Sequence, residues 1–261
     1  MTLTATQRQP ASSTHPAIAC RLLIDPPAEG AWNMAVDEAL LEAAESRGQW
    51  SLRFYRWSEP TLSLGYFQSI RELGDRWRST ALVRRASGGG AIMHDAELTY
   101  SLVVPPNAPL ARQPLRLYRA VHLGVIAALA EYGIDAKLYP TPCAAPPKNQ
   151  PLLCFERRSA GDILVGEAKI CGSAQRRRRG AVLQHGSIVL GTSPSAPQIV
   201  GLNELAAARI DPLQLADALA VELSSRLNLA LENRGLSDDE ADRAEFIASQ
   251  TYRTTDWLRR R

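Results

Sequence analysis

The sequence predicts an α+β fold built on a mixed, largely antiparallel β-sheet, and three observations carry that prediction. Short segments with strand-like alternation dominate the first two thirds of the chain, amphipathic helices punctuate them, and the last third has helical spacing. The composition, 45% hydrophobic and 22% charged over 261 residues, suits a packed core and argues against disorder. A net charge of +3 is too small to imply nucleic acid, and no apolar run approaches the ~20 residues that span a bilayer. Neither nucleic acid nor membrane is therefore an expected partner. Residues 1–17 are polar, without the apolar centre of a secretory signal, and predict a disordered tail. A single domain is expected over residues 18–261, helical from about residue 194.

Residues 20–25 predict the first strand, closed by Pro26 and Pro27. Asn33 is placed to cap a helix running to Arg47, with Gly48 ending it. Asp37 and Glu38 fall in its first turns, where acids suit the helix dipole and are commonly structural. Residues 52–57 and 61–66 alternate as strands about the Glu59-Pro60 turn, and residues 70–78 predict a short helix. Residues 81–83 and 98–104 read as strands that enclose a run of glycines within a sheet. Residues 117–132 form an amphipathic pattern ended by Gly133, with His122 on it as a packing or surface residue. Five prolines between Pro140 and Pro151 predict an extended surface loop. That loop is expected to be mobile in the free protein, holding Cys154 away from Lys169. Residues 162–165 and 168–173 pair as strands through Gly166-Glu167, residues 181–190 form another, and residues 211–227 and 238–251 predict helices.

Chemistry concentrates in a few places. The 84–95 stretch reads Arg-Arg-Ala-Ser-Gly-Gly-Gly-Ala-Ile-Met-His-Asp. Gly88, Gly89 and Gly90 let another group approach the backbone closely. Their amides, beside Arg84 and Arg85, suit a carbonyl oxygen, carboxylate or phosphate. An isolated triple glycine would be a flexible hairpin; strand flanks favour a bulge or a ligand's approach. Of the four cysteines, Cys20, Cys143, Cys154 and Cys171, none shows metal-ligand spacing, and free thiols in a reducing cytoplasm are expected. Cys154 is either a small buried residue or a nucleophile. Its place after the proline-rich loop and before Glu156-Arg157-Arg158 is exposed and near positive charge. Strict alternation would put Lys169 on one face with Cys171 and Ser173. There it is either solvated or set to hold a carbonyl oxygen and lower a neighbouring thiol's pKa. His94 and His185 are each a general base or a hydrogen-bonding loop residue. The arginines at 176–179 form a solvated hairpin tip or a docking point for an acidic partner.

Taken together, Asn33-Met-Ala-Val-Asp-Glu-Ala-Leu, Leu64-Gly-Tyr-Phe-Gln, the 84–95 stretch, Gly161-Asp-Ile through Lys169-Ile-Cys-Gly-Ser-Ala-Gln, and Leu183-Gln-His-Gly-Ser resemble the biotin/lipoate protein ligase family. The match covers roughly residues 20–190 with the motifs in order. It implies a central mixed sheet flanked by helices, with an acyl chain in a tunnel under the glycines. Lys169 matches the lysine that contacts the acyl carbonyl. The resemblance also implies substrate contacts at Tyr66, Arg84, Ser87, Gly88, Gly89, Gly90, Ala91, His94, Gly172 and His185.

One octanoyltransferase type of the family carries its cysteine just before the His-Gly strand, where Ala181-Val182 stand here. The other carries it ahead of the lysine strand, and Cys154-Phe155-Glu156 matches that pattern. Only 71 residues follow Leu190, short for a further globular domain. The implied activity is octanoyl transfer in lipoate biosynthesis, with Cys154 and Lys169 catalytic. The partners implied are octanoyl-acyl carrier protein and lipoyl domains, of the glycine cleavage H protein or E2 subunits. No metal or other cofactor is implied. Three alternatives follow from the same family: an ATP-dependent lipoate-protein ligase using ATP and Mg, an amidotransferase between lipoyl proteins, and a non-catalytic acyl-binding protein.

Overall fold

The structure, a computed structural model, describes residues 16–77, 79–140, 150–207 and 209–261. β1 (Ile18–Ile24) leads through α1 (Gly30–Arg47) to β2 (Trp50–Tyr55), which lies parallel to β1. β3 (Thr61–Leu64), β4 (Ala81–Arg84) and β5 (Ile92–His94) form a small separate sheet in the order β4-β3-β5. β6 (Glu97–Val104) returns to the main sheet, and α2 (Pro114–Ala130) covers one of its faces. β7 (Ala136–Leu138), β8 (Ile163–Val165), β9 (Ala168–Arg178) and β10 (Ala181–Val189) complete the antiparallel side. After α3 (Leu202–Leu205) and α4 (Pro212–Leu227), β11 (Leu229–Asn233) pairs parallel to β1. Two further helices follow, α5 (Asp238–Ile247) and α6 (Thr255–Arg259). The main sheet runs β11-β1-β2-β6-β10-β9-β8-β7, a mixed and largely antiparallel order flanked by helices, as the sequence predicts. Among the described residues no helix is long and apolar enough to cross a membrane.

Strand alternation builds two cores. Leu52 and Phe54 of β2, with Leu98, Tyr100 and Leu102 of β6, pack under α2 and α4, while Tyr55 and Val103 turn the opposite way onto α1. Each large side chain buried this way contributes about 1.5–3 kcal/mol. The α1 face also buries a charge: Arg53 is fully enclosed, with Asp25 at 2.6 Å and Asp37 at 2.9 Å. A buried guanidinium persists only where charge and donors are both met. The carbonyl and Oδ1 of Asn33 accept its remaining N–H groups.

Several elements depart from the sequence reading. α1 begins at Gly30, so Asn33 lies inside its first turn, where its amide donates to the Ala28 and Arg56 carbonyls instead of capping. Residues 70–78 give two 3-10 turns, Ile70–Glu72 and Asp75–Trp77. Pro114 opens α2 at a position where its missing N–H costs nothing. The glycines lie in the link between β4 and β5, both of which pair with β3. β11 interrupts the predicted helical C-terminal part: Asn228, at φ +55°, ends α4, and the next five residues complete the sheet edge. At the β9–β10 tip, Arg178 pairs with Glu42 and Glu45, and Arg179 with Glu45, all on α1. Arg176, Arg177 and Arg179 are exposed, and Arg178 is half-buried. Residues 1–15 of the predicted tail, and Cys143 with most of the proline-rich loop (141–149), lie outside the described residues.

Candidate active site

A β-bulge decides where Lys169 points. β8 pairs Ile163 with Cys171 but Leu164 with Lys169, so Ile170 is an extra residue in β9. The bulge breaks the expected alternation and moves Lys169 off the face of Cys171 and Ser173. Cys171 joins the core under α2, and Ser173 bonds Nε2 of His122 on that helix at 2.6 Å. Lys169 instead lies against Gly172, where a Cβ would stand 2.8 Å from the lysine Cε and 3.1 Å from Nζ.

The Lys169 ammonium is buried and ion-paired to Asp162 at 2.7 Å. Burial raises the Asp162 pKa against the pull of this lysine. The ammonium also donates to the Cys154 carbonyl at 3.2 Å and lies 3.6 Å from Cys154 Sγ. The expected separation of Cys154 from Lys169 is therefore absent. Backbone pairing explains why: the Ala91 amide donates to the Leu152 carbonyl at 3.0 Å, and the Cys154 amide to the Ala91 carbonyl at 2.7 Å. The thiol then sits on a single 3-10 turn, Cys154–Glu156, and remains partly exposed. Cys20 and Cys171 are buried, which pushes the Cys20 thiol up to about 12 and Cys171 higher still. Thiols held protonated in this way are poor nucleophiles.

Arg85 holds the glycine stretch in place. It is fully buried, donating to the carbonyls of Gly88 and Gly90 at 2.8 and 2.7 Å and to Ser63. Burial brings its pKa down to about 10, opposed by the charge of Cys154. With those carbonyls tied to Arg85, the amides of Gly88, Gly89 and Gly90 have no protein acceptor among the described residues. Gly89, at φ +99°, needs its glycine conformation.

His185 stands at the next position inward, linked through one nitrogen to Asp37 Oδ2 at 3.2 Å and through the other to Ser87 Oγ at 2.5 Å. The Asp37 carboxylate accepts from Nδ1–H, and the Ser87 hydroxyl meets Nε2. Burial works to raise the Asp37 pKa, but the His185 hydrogen bond and the Arg53 charge outweigh it and hold it low. His94 is similarly enclosed between Glu97 and Ser63 and stacks on Trp57 at 3.8 Å, and burial lowers its pKa.

These groups border one cavity between the main and small sheets. Gly88, Gly89, His94, Cys154, Gly172 and His185 all line it, together with apolar side chains such as Met34, Tyr55, Trp57 and Ile92. The other sequence-predicted site residues lie beside it. Ala91 fixes the cysteine turn by its backbone, and Ser87 holds His185. Gly90 packs tightly under Leu152 and Arg157. Tyr66 lies in an adjoining groove and meets Arg260 at 2.7 Å. Arg84 is engaged elsewhere, with the Gly65, Gln68 and Leu258 carbonyls, and Arg85 is the member of the pair that reaches the cavity. Asp162 is not among the sequence-predicted site residues, and Arg85, expected only as a charge beside the glycine amides, takes the place predicted for Arg84.

An apolar cavity bordered by the glycine stretch and the Cys154 thiol, with the Lys169 ammonium 3.6 Å from that thiol, has the chemistry of a domain suited to an acyl carbonyl. The chain belongs to the lipoyl protein ligase A/B catalytic-domain family, whose model matches residues 29–206. Among curated relatives, an octanoyltransferase LipM of Symbiobacterium thermophilum is 35% identical, with 89% of this chain and 95% of the relative aligned. Another octanoyltransferase LipM, from Kyrpidia tusciae, is 34% identical over 91% of this chain and 97% of its own length. Solved structures share the fold. A lipoate-protein ligase A bound with ATP superposes with a TM-score of 0.75 at 24% identity, over 92% of this chain and 98% of its own. A bipartite lipoate protein ligase of Thermoplasma acidophilum gives 0.73 at 22%, over 92% and 96%.

Proposed function

We propose that this chain is an octanoyltransferase that moves the group from octanoyl-acyl carrier protein to a lipoyl-domain lysine through a thioester on Cys154. The observation that carries the reading is the position of the Cys154 thiol, 3.6 Å from the Lys169 ammonium at the wall of the apolar cavity. Relatives named octanoyltransferase, aligned over about nine tenths of the chain, support it. The Cys154 thiolate attacks the donor's thioester carbon, the carbon–sulfur bond to the carrier breaks, and the carrier thiolate leaves and takes up a proton. The acceptor lysine's neutral amine then attacks the Cys154 thioester. An amide forms as the amine loses its proton and Cys154 departs as thiolate. In both steps negative charge develops on the carbonyl oxygen, where Lys169 and the glycine amides are placed to receive it. A covalent nucleophile divides one transfer into two acyl steps. Every step uses groups of this chain and its two protein substrates, so neither ATP nor a metal enters the scheme. The exposed arginines of the 176–179 run, Arg176, Arg177 and Arg179, suit an acidic partner.

Incubation with octanoyl-acyl carrier protein, followed by intact mass, tests the reading. A hydroxylamine-sensitive octanoyl adduct is expected, and it should be absent in Cys154→Ala. Acceptor modification that needs ATP and free octanoate, with no adduct, would overturn the scheme in favour of ligation. Bound acid without transfer under either condition would leave a binding protein. Donor preference, measured between the carrier and an octanoylated lipoyl protein, separates carrier-dependent transfer from amidotransfer.

A further inference from the structure

We propose that Met34 is the end stop that sets acyl-chain length, sealing the acyl cavity from a larger groove behind it. The inference rests on the acyl-transfer reading and adds which chains the site accepts. One row of paired residues across the main sheet runs along the cavity floor. Gly172 pairs with Ser187, Ser187 with Thr99, and Thr99 with Tyr55, and all four residues line the cavity. The row begins at Gly172, beside Lys169, and ends at Tyr55, which shares a core with Met34. Three strand spacings make it ~14 Å long. An extended octanoyl group spans ~9 Å from its carbonyl carbon to its methyl. The side chains of the far wall, Met34, Tyr55 and Trp57, take up the difference.

Two of those far-wall groups are fixed. Trp57 donates to Thr99 at 3.0 Å and stacks on His94, and Tyr55 donates to Asp37 at 3.0 Å. Met34 has no such tether. A methionine is an adaptable filler with three rotatable bonds. Met34 and His185 each line both the acyl cavity and the neighbouring groove of about 370 Å3. His185 is held between Asp37 and Ser87, which leaves Met34 as the movable part of the partition. Shortening it joins the two spaces, and each methylene that then enters is worth roughly fourfold in affinity.

The test uses competition between equimolar octanoyl and dodecanoyl thioesters, read as Cys154 adducts by intact mass. The parent protein should favour octanoyl. In Met34→Ala the dodecanoyl-to-octanoyl ratio should rise about tenfold or more, and Met34→Val, a smaller change to the packing, should move it the same way. Met34→Phe should shift preference toward hexanoyl. A parent that accepts both chains equally, or an unchanged ratio in both shortened variants when folded, would overturn the end stop. A second readout, the thermal shift given by free octanoic and dodecanoic acids on Cys154→Ser protein, does not depend on transfer. A change in acid preference at position 34 without any adduct would keep the end stop and end the transfer reading. Adducts with an unaltered preference would do the reverse.

Discussion

Alanine at position 172 is expected to slow Cys154 acylation about ten- to a hundredfold while leaving the fold in place. Its Cβ would stand 2.8 Å from Cε and 3.1 Å from Nζ of Lys169, and 3.3 Å from Oδ1 of Asp162. Carbon contacts relax to about 3.5–4.0 Å, so the lysine tip must move by roughly 1 Å. As the far end of a flexible chain it can do so without disturbing the sheet, and Gly172 is not among the positive-φ glycines. Moving the ammonium from 3.6 Å to about 4.5 Å from Sγ lowers its attraction for the thiolate by about 1 kcal/mol at an effective dielectric of about 20. That is a factor of about five. Misplacement against the developing oxyanion adds the rest, since an error of about 1 Å in a positioned group costs up to ~100-fold. Single-turnover octanoylation followed by intact mass reads the rate, and thermal unfolding reads the fold. A rate within twofold of the parent at an unchanged melting temperature would refute the reasoning. So would an undiminished effect on a Lys169→Met background, because two changes acting through one ammonium should not add.

Gly65→Ala should disable the site from the opposite side. Its Cβ would collide with the Gly89 carbonyl oxygen, a backbone atom that cannot swing aside. We expect a loss of about 1–3 kcal/mol in urea unfolding, together with loss of acylation; parental activity would show that the glycine stretch tolerates displacement. His122 should make stability pH-dependent. Burial lowers its pKa from 6.5 to about 4, so between those values the unfolded chain binds the proton and the native state does not. Stability is then fully present above about pH 6.5 and falls as pH drops toward 4, by about 3 kcal/mol. Urea titrations across that window should show a shallower slope for His122→Gln, and identical slopes would sink the assignment.

The parts of this molecule legible in its sequence are those written in residue type. Hydrophobic alternation marks the strands, Gly48 and Gly133 mark helix ends, and the glycine stretch, Cys154 and Lys169 stand out by residue type and meet around one cavity. What stayed hidden depends on register and partner choice. The bulge at Ile170 leaves no mark in composition, yet it alone turns Lys169 toward Gly172 and the thiol. Arg84 and Arg85 are identical in kind and adjacent, and only the path of the chain after β4 decides which one enters the cavity. Asn33 carries the signature of a cap, but its amide satisfies two carbonyls from neighbouring segments. β11 is five residues long between two helices, too short for alternation to outweigh its surroundings. Asp162 stood in a quoted motif, and the one usable signal was chemical: a buried lysine requires a carboxylate.

The site divides into a fixed part and an attached part. The cavity row, Lys169 with Asp162, and the Arg85-held glycines all belong to the two sheets and the segments that link their strands. The Cys154 thiol belongs to neither sheet. Cys154 is placed by two backbone hydrogen bonds to Ala91, by Leu153 packing into the small core with Leu62 and Leu64, and by one 3-10 turn. Because that pairing runs through the backbone, it tolerates almost any side chain at position 154. The thiol is therefore the single part of the site that could change without disturbing its neighbours. Chemistry carried by such a segment can vary while the scaffold stays constant, and a lipoate-protein ligase A bound with ATP shares this fold. In the proposed scheme, recognition of the acyl group falls to the sheets and transfer to the turn that carries Cys154.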